Sequence, residues 1–132
     1  MRPLLASLRG QIEYVPAVPQ AHLPAQYAWA DLFVFPTIED GYAVVLAQAA
    51  AAGLPILTTT NCGGPDFLIE GETGWIIPIR RPETLLERIT WCRTHRDVFA
   101  TMVDRIAATY HPRDWADVAA DFETFCEASQ RC

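Results

Sequence analysis

Lysine is missing altogether: all ten basic side chains of the 132-residue sequence are arginine. That excludes Schiff-base chemistry, a P-loop lysine and the lysine of kinase-type phosphoryl transfer. Serine is nearly missing too. Only Ser7 and Ser129 occur, both near the ends, so there is no Gly-x-Ser-x-Gly nucleophile. Sixteen acids against ten bases give a net charge of −6. With no basic surplus and no basic stripe, nucleic acid is not an expected partner. The four cysteines, at 62, 92, 126 and 132, form no Cys-x-x-Cys pair and have no histidine at ligand spacing. This argues against a zinc site and against a disulfide framework, and leaves reduced thiols of a cytoplasmic protein. Long apolar runs are also lacking. The stretch 43–57 is broken by Gln48, Gly53 and Pro55 and falls short of the ~20 residues of a membrane span. The run 3–8 is too short for a secretory signal.

What is present suffices for a core: 51% of residues are hydrophobic and 20% charged, which rules out a disordered chain. Apolar pattern and punctuation predict strands at 11–15, 32–35, 55–59 and 74–78. Helices are predicted at 22–30, 43–52, 66–69, 82–94, 96–109 and 113–128. The run LFVF at 32–35 reads as a strand buried on both faces. Strands alternating with helices over short connections imply parallel pairing. The expected class is therefore α/β, an open doubly wound parallel sheet, Rossmann-like, with a helical C-terminal tail. One domain is expected, its strand and helix part over about 1–79 and its tail over about 80–132. Ligands of such sheets lie outside the carboxyl ends of the strands, which here means the loops 36–42 and 59–65.

The first loop holds Glu39, Asp40, Gly41 and Tyr42. Gly41 permits a tight turn into the helix that begins near Ala43 and Val44. The first amides of that helix and its positive dipole end form a potential phosphate site. Gln48 is the one polar side chain in AVVLAQAAAA; it lies eight residues beyond Asp40, ~12 Å along a helix. A polar group on so apolar a helix needs partners, which protein or ligand can supply. Taken alone, the plainer reading is an Asp40 that caps the helix and a Gln48 satisfied by neighbouring backbone. In the second loop Gly63 and Gly64 could turn backbone amides toward an anion, whereas Asp66 after Pro65 reads as an ordinary helix start. His22, His95 and His111 have no carboxylate at a readable spacing and are expected at the surface. Trp29, Trp75, Trp91 and Trp115 are expected in packing roles.

The stretch AWADLFVFPTIEDGYAVVLAQAAAAGLPILTTTNCGGPDFLIEGETGWIIPIRRPETLLERI resembles the second, donor-binding domain of retaining glycosyltransferases of family 4, which have the GT-B fold. The resemblance covers about 19–89. It implies that Asp40 stands where the family's first acid lies by the donor sugar. Gln48 stands where the second acid holds the ribose hydroxyls. Gly41-Tyr42-Ala43 matches a Gly-Phe-Gly turn, Gly63 and Gly64 match the family's glycine loop, and the amides of Ala43 and Val44 would hold the phosphates. Two substitutions depart from the usual pattern: aspartate at 40 and an amide at 48.

The resemblance further implies a nucleotide diphosphate sugar as donor, retaining hexosyl transfer, and no metal or other cofactor. It covers the last four strand units of one of two domains, so a truncated domain is expected. The arginine or lysine pair that neutralises the leaving diphosphate in the family has no recognisable copy here. Two functions follow: a glycosyltransferase domain that is inactive alone, or a non-catalytic binding or partner module. By the family's strand order, two strands between 11–15 and 32–35 are not accounted for. Either 11–15 moves in beside 32–35, or a second copy or a first-domain partner chain fills the gap.

Overall fold

A computed structural model describes residues 11–129. The elements are α1 (Leu23–Ala28), β1 (Phe33–Phe35), α2 (Val44–Ala51), β2 (Ile56–Thr59), α3 (Gly64–Phe67), β3 (Gly74–Ile77), α4 (Pro82–Thr94), α5 (Arg96–Thr109) and α6 (Trp115–Ser129). A 3-10 turn over Gln20–His22 leads into α1. The three strands form one parallel sheet in the order β1-β2-β3, with Phe33 opposite Ile56 and Ile56 opposite Gly74. Helices cross over between successive strands, as parallel pairing requires.

The central strand β2 is buried along its whole length, and the strand pleat sends its neighbours to opposite faces. Ile56 joins Leu46, Ala49, Ala50 and Leu54 beneath α2. Leu57 joins Trp75, Ile77, Cys92 and Met102 beneath α4 and α5. Burial of a side chain such as Leu46 contributes about 1.5–3 kcal/mol. Gly53, at φ 76°, ends α2 in the left-handed conformation that glycine adopts without strain.

Several expectations are corrected. The segment 11–15 forms no strand: Ile12 makes a single bridge, and all five residues are exposed. Its polar Gln11 and Glu13 and the prolines that follow leave little to bury. It does not cover β1, which is an edge of the sheet among the described residues. β1 is half-buried rather than buried on both faces, and one flank has no neighbouring strand among the described residues. The short helix after β2 begins at Gly64, not at 66, since Pro65 fits its first turn. α6 has its expected apolar spacing but buries none of it, and Trp115 is 87% exposed. Trp29 is also exposed, whereas Trp75 is core and packs edge-on against Trp91.

Candidate functional site

The loops after β1 and β2 meet at the carboxyl edge of the sheet, joined by hydrogen bonds that begin in the strands. The Thr58 hydroxyl donates to the Phe35 carbonyl at 3.0 Å, and the Thr59 hydroxyl to the Thr37 carbonyl at 2.6 Å. Further out, the Asp40 amide donates to the Asn61 carbonyl at 3.0 Å, and the Asn61 side-chain amide to the Glu39 carboxylate at 3.2 Å. A methyl group at Gly63 would collide with the Tyr42 carbonyl oxygen. The backbones touch there, and only glycine fits. Thr58, Thr59 and Asn61 were not singled out from the sequence; the signal was the run TTTN, which begins in the strand and ends in the loop.

Asp40 is half-buried, and its carboxylate makes no hydrogen bond or ion pair among the described residues. It does not cap α2. The N-cap position belongs to Ala43, at φ 55° and ψ 67°, and no side chain caps the helix. A left-handed alanine is strained where glycine would not be; the turn that Gly41-Tyr42-Ala43 must make imposes it. The opening amides of α2 are consequently left without a capping side chain. Asp66 does not cap either; it lies inside the first turn of α3, behind an N-cap glycine.

Gln48 lies on the same helix, half-buried, and the Tyr27 hydroxyl donates to its Oε1 at 3.2 Å. Burial raises the Tyr27 phenol above its ordinary pKa, so the hydroxyl keeps the proton it donates. With Oε1 engaged, Gln48 presents N–H donors to whatever approaches. Gln48 and Tyr27 share a cavity of about 270 Å³ with Leu23 and Pro24 of α1.

The other matched positions are more dispersed. Val44 is exposed at the start of α2, and Gly63 and Gly64 are buried against the first loop and Thr58. Tyr42 lines a separate cavity of about 560 Å³ with Phe67, Ile106 and Tyr110, which Gln48 does not line. Burial, with Tyr42 adding to it, raises the Tyr110 phenol. Of the histidines, His95 is half-buried and stacks on Trp91 at 4.2 Å between ring centres. Among the described residues no helix is long and apolar enough to cross a membrane.

Comparison with known proteins gives the following. Residues 2–95 match the family model described as glycosyl transferases group 1. A putative colanic acid biosynthesis glycosyltransferase, WcaL, from Salmonella typhimurium is 28% identical over 94 residues, which is 66% of this chain and 23% of that protein. The chain thus spans about a quarter of the length of curated relatives such as this one. Among solved structures, sucrose-phosphate synthase from Thermosynechococcus elongatus superposes with a TM-score of 0.75 at 19% identity, over 98% of this chain and 34% of that one. Anabaena Alr3699/HepE, in complex with UDP-glucose, superposes with a TM-score of 0.73 at 16% identity, over 99% of this chain and 36% of that one. At such identities the structural likeness establishes the fold alone: Rossmann-like α/β, shared with these proteins.

Proposed function

The chain belongs to the group 1 glycosyl transferases, and from that premise we propose that it is the donor-binding part of a retaining, family 4 type enzyme. It binds a nucleotide diphosphate sugar for hexosyl transfer. One observation carries the reading: at the carboxyl edge of a parallel sheet, an acid, Asp40, precedes the uncapped start of α2, and an amide, Gln48, lies further along the same helix. In this reading Asp40 stands beside the sugar and Gln48 meets the ribose. The amides of Ala43 and Val44 take the phosphates, and Gly63 and Gly64 keep the second loop close enough to complete the wall. The likeness to HepE, whose structure holds UDP-glucose, supports this choice of ligand class. The reading needs no metal or other cofactor and places the protein in the cytoplasm.

The acceptor side belongs, in this reading, to a first domain carried by a partner chain or a longer parent, so the 132 residues alone transfer no sugar. A second reading is favoured by Gln48 itself. An amide tied to Tyr27 is a poorer acceptor for ribose hydroxyls than a carboxylate, which suits a non-catalytic binding or partner module. Calorimetry of the chain against UDP-, GDP- and ADP-sugars tests the proposal. Binding should weaken in Asp40→Ala and Gln48→Ala while far-UV circular dichroism is unchanged. Equal binding by all three proteins would remove both residues from the site.

A further inference from the structure

Arg80 and Arg81 follow β3 at the same carboxyl edge, and both are exposed. Their guanidinium groups make no ion pair or hydrogen bond among the described residues, although acids outnumber bases sixteen to ten in the chain. Each breaks a local rule. Arg80 is held at φ 57°, a left-handed conformation in which glycine is free of strain. Arg81 is the N-cap of α4, makes no capping hydrogen bond, and sets a positive charge against the positive end of the helix. Glu83 already occupies the first turn of α4, so the positive potential on offer is that of the guanidinium groups rather than of the helix end. Both arginines line a cavity of about 170 Å³ with Pro36 and Ile38 of the first loop and Thr59 of β2. Adjacent departures from local preference are expected where a site is built, and a bound anion would offset the charge that the helix opposes.

The geometry points to an anion subsite at Arg80 and Arg81, one that takes a phosphate or diphosphate group beside the loop bearing Asp40. The guanidinium fork suits a bidentate grip on such oxygens. The site does not depend on the donor reading, because its residues are separate from Asp40, Gln48 and the start of α2.

Inorganic pyrophosphate, titrated into the ¹⁵N-labelled chain at low ionic strength, tests it. Amide shifts should move at 80–85, with an affinity at least tenfold weaker in the double variant Arg80→Gly, Arg81→Ser. That variant should melt no lower than the parent, since glycine fits the left-handed position and serine can cap α4, so lost binding cannot be blamed on lost fold. Parallel titration with UDP distinguishes the sources of the anion. UDP affinity that falls in the variant assigns the subsite to the donor diphosphate. Unchanged UDP affinity with lost pyrophosphate shifts assigns it to a phosphorylated second substrate. Shifts confined to 43–46, shifts at 80–85 that persist in the variant, or no shifts at all would overturn the proposal; the first of these would leave the donor reading standing.

Discussion

At the scale of single residues, the Tyr27–Gln48 pair sets which groups of the amide would face a ligand in the proposed reading. The Tyr27 hydroxyl occupies Gln48 Oε1, so the remaining groups of the amide are donors. A carboxylate at 48 would accept from Tyr27 through one oxygen and from a ligand hydroxyl through the other. Hydrogen bonds to charged groups contribute about 1.5–3 kcal/mol against about 0.5–1.5 for neutral ones. We therefore expect Gln48→Glu to tighten UDP binding roughly tenfold, read by calorimetry. Unchanged or weaker binding would place the ribose elsewhere. Tyr27→Phe should act in the opposite direction on the fold, leaving a half-buried amide oxygen unpaired and lowering stability by about 1 kcal/mol, measurable by urea denaturation.

At the scale of elements, the two loops behave as one unit because their backbones touch. Gly63→Ala inserts a methyl where the Tyr42 carbonyl stands, so the first loop has to move. Overpacking of this kind costs about 1–3 kcal/mol; a melting temperature several degrees lower is expected, together with weakened nucleotide binding. A variant that melts like the parent would mean that the loops are not coupled. The same contact explains the limits of sequence reading. The run AVVLAQAAAA ended by Gly53, and the β-branched run ILTT, are self-contained local signals, and α2 and β2 lie where those signals put them. Ala43 in the left-handed region could not be read, because alanine normally argues for helix, and here tertiary fit overrides that preference. The strand expected at 11–15 failed for a related reason: five residues with alternating polarity make a strand only if a neighbour pairs with them. The stripe on α6 shows that helical spacing predicts the helix but not what covers it. Asp40 and Gln48 were legible as positions, whereas Tyr27, Thr59 and Asn61, which fix their surroundings, required the fold.

At the scale of the molecule, two surfaces are left open among the described residues: the flank of β1 away from β2, and the face of α6 carrying Trp115, Val118, Phe122 and Phe125, the last 70% exposed. Unpaired strand edges and contiguous apolar faces favour association, so light scattering should give a mass that rises with concentration; a strict monomer across the series would contradict it. The fold also fixes a response to pH. Burial raises the Cys92 thiol above its ordinary 9.0, with Arg88 partly opposing, and raises the Tyr27 and Tyr110 phenols above 10.0. All three groups are neutral when protonated, so folding favours the protonated form. As pH rises, the unfolded chain gives up these protons first, and from that point the unfolded state binds fewer protons than the folded one. Their contribution to stability is therefore complete below about pH 9. It declines as pH passes through the ordinary values toward the raised ones. The melting temperature should fall steadily above pH 9, and the fall should be shallower in Cys92→Ala and in Tyr110→Phe, each compared with its own value at pH 8. Identical slopes in the parent and both variants would show that these buried groups do not set the alkaline limit of the fold.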